Sequence, residues 1–152
     1  MGLFYSRESK QQLLGYADAE YLSDPYKEIL TIHEASRECV WLRSMIQHIQ
    51  ETCGLPSIRG NATVLHEDNV ACIAQIKGGF IKGDRTKHIS PKFFYSHELQ
   101  KKCEIDVQQI RSCNNLADLF TKALPSTTLK KLRYDFGIRR LRDLPFEMLK
   151  KS

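Results

Sequence analysis

The sequence has no long hydrophobic run and no paired-cysteine motif. No stretch of 18 or more apolar residues occurs among its 152 residues, which argues against a membrane-spanning helix. The five cysteines lack a CxxC pair and the five histidines lack an HxxxH spacing, so we expect neither a zinc site nor a disulfide framework. Charge appears at Arg7 and Glu8 before an apolar signal-peptide core could form, so no secretory signal is expected. These absences predict a protein of a reducing compartment, cytoplasmic or nuclear.

Positive charge is unevenly distributed along the chain. The 23 Lys and Arg residues exceed the 18 Asp and Glu residues, giving a net charge of +5. Residues 129–152 contain 8 basic and 3 acidic residues, whereas the other 128 positions contain 15 of each. A basic segment of this kind indicates either a contact with nucleic acid or a solvated helix face. The hydrophobic share of 41% and the chain length are typical of one globular domain.

The order of apolar runs and helix breakers predicts an α/β fold. Strands are expected at 11–19, 62–66 and 104–110. Helices are expected at 25–53, 70–77, 90–102, 116–123 and from 126 onward. Because helices separate the strands, we expect a mainly parallel three-stranded sheet with helices packed on it. The longest helix begins with Pro25 and ends before Gly54, and its apolar residues from Ile29 to Ile49 predict one buried face. Trp41 is expected in the core.

Four acidic residues lie where predicted strands end or helices begin. Asp18 and Asp68 follow the first two strands, and Glu28 and Asp118 fall in the first turns of helices. Ligands of open α/β sheets bind beyond the carboxyl ends of the strands, and convergent carboxylates are suited to Mg²⁺. A pair of such ions activates water for phosphodiester cleavage. Each acid also has an ordinary alternative as a turn residue, a helix cap or a charge that favours the helix dipole.

Five segments spread along the chain share their order with a known family. They are GYADAEYLSDP (15–25), HEASRECVWLRSMI (33–46), HEDNVACI (66–73), DRTKHISPKFF (84–94) and NLADLFTKALP (115–125). Together they resemble the RNase H domain of copia-type (LTR) retrotransposon Pol polyproteins. The segment LFYSRES resembles the connection from reverse transcriptase into that domain. The resemblance implies a connector at 1–10, an RNase H-like domain at 11–125 and a basic C-terminal helical segment at 126–152.

The resemblance also implies an activity, a cofactor and a set of site residues. RNase H domains hydrolyse the RNA strand of RNA/DNA hybrids by two-metal catalysis with Mg²⁺ or Mn²⁺. Matched motif by motif, the catalytic and metal-binding acids are Asp18, Glu28, Asp68 and Asp118. The implied nucleic-acid contacts are Asn69, Lys82, Arg85, Lys87 and His88. For the basic loop that holds the last four, a solvated charged loop is the alternative.

The chain departs from the family between the first two acids. Only nine residues separate Asp18 from Glu28, where the family has two antiparallel strands. Two strands of about 5–6 residues each, with their turns, need a longer segment, so we expect a truncated RNase H-like fold. The first strand then has an unpaired edge, which favours pairing with another chain. Three functions stay open: an active hybrid ribonuclease, an inactive transposon remnant with residual nucleic-acid binding, and a homo-oligomer formed through the strand edge.

Overall fold

A computed structural model of the chain describes residues 2–3, 13–18, 25–55, 62–80 and 90–139. The elements in these ranges are, in chain order, β1 (Gly2–Leu3), β2 (Leu14–Tyr16), α1 (Pro25–Cys53), β3 (Thr63–Glu67), α2 (Val70–Gly78), α3 (Ser90–Lys101), β4 (Ile105–Gln109), a 3-10 helix (Ser112–Asn114), α4 (Asp118–Thr121), α5 (Ser126–Asp135) and β5 (Ile138–Arg139). Of the helices described, none is long and apolar enough to cross a membrane.

A parallel sheet of three strands, in the order β2-β3-β4, forms the centre of the fold. Tyr16 of β2 is in register with His66 of β3, and Glu67 of β3 is in register with Gln109 of β4. The helices that connect these strands pack against the sheet. Four of the five residues of β3 are buried, as expected for a parallel strand covered on both faces. The predicted α/β fold with a three-stranded parallel sheet is confirmed.

A second, smaller sheet joins the two ends of the described chain. Gly2 of β1 lies opposite Arg139 of β5, and Leu3 lies opposite Ile138, in antiparallel register. The helix predicted from Ser126 onward is confirmed as α5, which leads directly into β5. Part of the expected connector therefore pairs with part of the expected C-terminal segment, and the division of the chain into three parts stays a prediction.

Helix α1 covers the sheet with only part of its length. Ile29, Ile32 and Cys39 are buried in the core, as predicted. Ile49 is 48% exposed and Trp41 is 58% exposed, so the prediction of a core position is wrong for both. A helix of 29 residues is about 43 Å long at 1.5 Å per residue. A strand of five residues is about 17 Å long. The C-terminal half of α1 therefore extends beyond the sheet, which leaves Ile49 exposed, whereas Trp41 lies on the face of α1 opposite the buried Cys39.

The ends of the helices follow their capping residues, except at α4. Gly54 after α1 and Gly79 after α2 both have the left-handed conformation, with φ of 66° and 71°. The helix predicted at 116–123 is shorter than expected, since only Asp118–Thr121 are helical. It ends at Lys122 because the backbone there becomes extended, with φ of −128° and ψ of 148°. This short helix lies next to the predicted site.

Candidate functional site

Two of the predicted acids lie at the carboxyl edge of the sheet because their strands are parallel and in register. Tyr16 and His66 are register partners, and the Ala17 N–H extends the pairing by donating to the His66 carbonyl oxygen at 2.8 Å. Asp18 and Asp68 each follow two residues after this matched pair. The sheet register therefore places both acids at the same edge, as the sequence predicts.

A buried asparagine brings the third acid to that edge. Asn115 is fully buried, and its Nδ2 donates to the Ala17 carbonyl oxygen at 2.8 Å. Its Oδ1 accepts from the Ala117 N–H at 3.2 Å, which orients the turn that leads into α4. Asp118, the first residue of α4, is thereby held beside the end of β2 although it lies a hundred residues from Asp18 in the sequence.

Asp18 and Asp118 share a single cationic partner, the ammonium of Lys122. Its Nζ donates to Asp18 Oδ1 and to Asp118 Oδ1, each at 2.9 Å. The side chains of the two aspartates are only 2% and 8% exposed, and that of Lys122 is 26% exposed. The other oxygen of Asp18, Oδ2, accepts a short hydrogen bond from the Thr121 hydroxyl. Both oxygens of Asp18 are thus engaged by adjacent residues at the end of α4.

The charge of Lys122 is strongly favoured in this position. Partial burial by itself lowers the pKa of the Lys122 ammonium. The hydrogen bonds to Asp118 and Asp18 and the negative charges of both carboxylates act in the opposite direction and outweigh burial. The pKa of Lys122 is therefore raised above its ordinary value. The three side chains form one buried ionic group with two negative charges and one positive charge.

Glu28 is associated with a different buried acid, Glu67, whose pKa is raised by burial and in part by the charge of Glu28. Glu28 lies in the first turn of α1 and is buried. Glu67 is fully buried, and its Oε1 accepts from the N–H groups of Asp68 at 3.1 Å and Asn69 at 3.0 Å. Its Oε2 has no hydrogen-bond partner among the described residues. Burial raises the pKa of Glu67 to about 8, against the effect of the Asn69 N–H and with a contribution from the charge of Glu28. Glu67 is therefore mainly neutral at pH 7.

The structure thus places the four predicted acids without gathering them into one cluster. Asp18 and Asp118 meet at Lys122, the charge of Glu28 acts on Glu67, and Asp68 is half-buried at the end of β3. In the described part of the chain, no three His, Cys, Asp or Glu side chains are grouped so that they could hold a metal ion. The metal-binding role of the four acids stays a prediction.

The pair of aspartates nevertheless has a donor set that fits one hard cation. Mg²⁺ is commonly held by one or two carboxylates together with water and substrate phosphates, rather than by a complete protein cage. Asp18 Oδ1 and Asp118 Oδ1 already converge on a cationic nitrogen, which stands in the place of such an ion. The two oxygens could hold Mg²⁺ or Mn²⁺ once the Lys122 ammonium has moved away.

The predicted nucleic-acid contacts are largely outside the described residues. Lys82, Arg85, Lys87 and His88 fall in 81–89, which the structure does not describe. Asn69 has a clear structural role as the N-cap of α2, since its Oδ1 accepts from the Ala71 N–H at 3.0 Å and the Cys72 N–H at 3.1 Å. A contact between Asn69 and nucleic acid stays a prediction.

A cavity of about 610 Å³ opens beside Asp18, between α1 and α4. Its walls are mostly apolar, with Leu30 on one side and the exposed ring of Phe120 on the other. Glu34 and Glu38 of α1 also line it. Glu34 forms ion pairs with Arg37 at 3.0 Å and with Lys92 at 3.8 Å, so its negative charge is partly balanced.

Sequence reasoning missed four residues that organise this edge: Thr121, Lys122, Asn115 and Glu67. A signal was present for Lys122, because it lies four residues after Asp118 and such a spacing places two side chains on one helix face. Asn115 belongs to the NLADLFTKALP segment, but its position three residues before Asp118 gives no sign of its contact with β2. For Glu67, the sequence predicts a strand that ends at residue 66, whereas the strand continues and stays buried through Glu67.

Comparison with known proteins leaves the family assignment open. No protein-family model matches the chain, and no solved structure matches it significantly. The resemblance to RNase H domains therefore rests on the sequence motifs.

The raised pKa of Glu67 predicts a pH-dependent cost to stability. Between the ordinary pKa of 4.5 and about 8, the folded protein holds a proton that the unfolded chain has lost. The free energy of unfolding therefore falls as the pH rises through this range. Since glutamine cannot ionise, Glu67→Gln should be more stable than the wild type at pH 9, by on the order of 1–3 kcal/mol. Denaturant unfolding at pH 5, 7 and 9 measures the difference.

Glu98→Gln is the matched control, because Glu98 is exposed on α3. It should change stability little, and equally at the three pH values. A Glu67→Gln effect that does not grow from pH 5 to pH 9 would contradict the buried, neutral state of Glu67.

Proposed function

We propose that this chain is an RNase H-like domain of a copia-type retrotransposon polyprotein, which hydrolyses the RNA strand of RNA/DNA hybrids. The observation that carries the proposal is the shared contact of Asp18 and Asp118 at the carboxyl edge of a parallel sheet. Asp68 follows the neighbouring strand at the same edge. The three acids come from distant parts of the sequence, and each was assigned by a separate motif.

We further propose Mg²⁺ or Mn²⁺ as the cofactor, with the carboxylates of Asp18 and Asp118 as ligands of one ion. When bound, such ions activate water and stabilise the charge that develops on a phosphodiester. Asn115 and Thr121 would keep the aspartates in place through the contacts described above. The parts assigned to Glu28 and Asp68 in a two-metal site rest on the family resemblance.

Metal-dependent cleavage of a hybrid is the direct test of this function. The purified protein should cut the RNA strand of a labelled RNA/DNA hybrid in Mg²⁺ or Mn²⁺ and should lose this activity in EDTA. Asp118→Asn should lower the rate by more than about 100-fold, because even changes outside the immediate ligand shell of a metal cost 10–100-fold.

Asp106→Asn is the control for this experiment. Asp106 lies near the start of β4, away from the carboxyl edge, and pairs with Lys77 at 3.7 Å. Its substitution should leave the cleavage rate within about twofold, as expected for a weak surface ion pair. The proposal is wrong if the wild type does not cut the hybrid with either metal, or if Asp118→Asn cuts at the wild-type rate.

A second candidate function is nucleic-acid binding without catalysis, in a remnant of the transposon domain. It is favoured by the ammonium of Lys122, which neutralises part of the charge that would otherwise attract a metal ion. Binding would then depend on the basic residues Lys82, Arg85, Lys87 and His88, as the family resemblance implies. Such contacts release counterions and weaken as salt is added.

Salt dependence of hybrid binding tests this candidate. Four phosphate contacts predict a loss of affinity of roughly 50–150-fold between about 50 and 200 mM salt. Fluorescence anisotropy with Asp118→Asn, in which cleavage is blocked, measures this loss. The double variant Lys82→Gln/Lys87→Gln should bind more weakly and show a smaller salt slope. The control is Lys101→Gln/Lys102→Gln, which changes two exposed lysines at the end of α3. If both double variants weaken binding equally, the basic loop is not the contact with nucleic acid.

Self-association through strand β2 is the third proposal. In the described part of the chain, β2 pairs only with β3, so its outer edge has no strand partner there. Leu14 on this strand is 49% exposed. Unpaired edges can add a strand from another copy, and a lysine on the edge opposes this.

Analytical ultracentrifugation tests the strand-edge interaction. The mass-average mass of the wild type should rise with protein concentration, and Leu14→Lys should suppress the rise. Leu55→Lys is the matched control, because Leu55 is similarly exposed but lies after α1, away from the sheet. A monomer mass at every concentration would exclude this proposal.

A further inference from the structure

Lys122 is positioned as a counter-ion rather than as a surface residue. Its Nζ contacts one oxygen from each of two aspartates that are almost completely buried. The two oxygens can be no further apart than twice the 2.9 Å contact distance. Two carboxylates this close repel each other, and burial increases the repulsion because little water screens it. The ammonium therefore makes the metal-free arrangement of Asp18 and Asp118 possible.

The same geometry makes the ammonium incompatible with a bound divalent ion. Mg²⁺ binds carboxylate oxygens at about 2.0–2.1 Å, closer than an ammonium does. An ion on the oxygens that Lys122 contacts would lie a few ångströms from its Nζ, where two positive charges repel strongly. Exchange of the ammonium for Mg²⁺ also changes the summed charge of the group from −1 to zero, which favours the ion.

The backbone around Lys122 allows its side chain to leave without unfolding. Lys122 is the C-cap of α4 and already has an extended backbone, so its side chain is not fixed within a helical turn. The side chain is partly exposed and flexible, which gives the ammonium a route to solvent. Thr121 and Asn115 contact Asp18 and its strand independently of Lys122, so Asp18 keeps other supports.

We infer that Lys122 is an internal cation of the proposed metal site, which stabilises the metal-free domain and must leave the aspartates when a divalent ion binds. The inference rests on the proposed metal-binding role of Asp18 and Asp118. The affinity for metal is then set by competition with a residue of the chain itself. If Lys122 leaves the pair only about one-tenth of the time, the apparent affinity is weakened about tenfold.

Direct binding of metal to Lys122→Met tests the inference with a readout other than catalysis. Methionine keeps much of the length of the side chain but has no charge. Calorimetric titration with Mn²⁺ should show a dissociation constant roughly tenfold lower than in the wild type. In EDTA the variant should melt at a lower temperature, because two buried carboxylates have lost their counter-ion. Addition of Mn²⁺ should raise its melting temperature more than that of the wild type.

Lys77→Met is the matched control, since Lys77 forms a single, more exposed ion pair with Asp106. It should leave both the metal affinity and the melting temperature in EDTA near the wild-type values. Should Lys122→Met fail to fold in EDTA, Lys122→Gln, which keeps one hydrogen-bond donor, should give the same increase in affinity.

The possible outcomes separate this inference from the proposed activity. Equal or weaker Mn²⁺ binding by the Lys122 variants overturns the inference, even if the wild type cuts hybrids. A lack of Mn²⁺ binding by all proteins overturns it as well. Tighter binding by the Lys122 variants without any hybrid cleavage supports the inference and contradicts the ribonuclease activity.

Discussion

The parallel pairing of β3 with strands on both of its sides is the constraint on which the rest of the structure depends. Because β3 pairs in register with β2 and with β4, the carboxyl ends of all three strands meet at one edge. Asp18 and Asp68 reach that edge through the register alone. The hydrogen bond from Asn115 to the Ala17 carbonyl oxygen then adds α4 to it. A one-residue shift of β2 would turn Asp18 to the other face of the sheet and separate it from Asp118.

Carboxylates that lie close together at a buried edge repel each other, and the protein reduces this repulsion in two ways. Asp18 and Asp118 keep their contact because Lys122 supplies an opposite charge. Glu67 has backbone N–H donors on one oxygen but no cationic partner among the described residues, and burial raises its pKa until it holds a proton near neutral pH. Pairing preserves charge at the edge, whereas protonation removes it. The aspartate pair is therefore the more suitable part of the edge for binding a cation.

Much of the fold could be predicted from local signals in the sequence. Pro25 and Gly54 mark the two ends of α1, and Asn69 and Gly79 mark those of α2. The exposure of Ile49 could not be predicted from the spacing alone, because it depends on where the sheet ends beneath α1, whereas Trp41 lies on the same helix face as the exposed Glu34 and Glu38. The spacing of apolar residues shows which face of a helix is hydrophobic, but only the length of the neighbouring strands decides how much of that face is covered.

The candidate site was only partly predictable for a related reason. Positions at strand ends identify acids that can meet, but they do not show how the charge of those acids is balanced. Lys122 follows Asp118 by four residues, a spacing that usually indicates a modest surface ion pair. Here Lys122 balances the charge of two buried aspartates instead of one, because the hydrogen bond from Asn115 to Ala17 brings Asp18 to the same ammonium. The metal-free and metal-bound forms would then share one backbone and differ mainly in the rotamer of one lysine. Such a site can keep all the acids of its motif while its affinity for metal is set by a neighbouring lysine that is not itself a metal ligand.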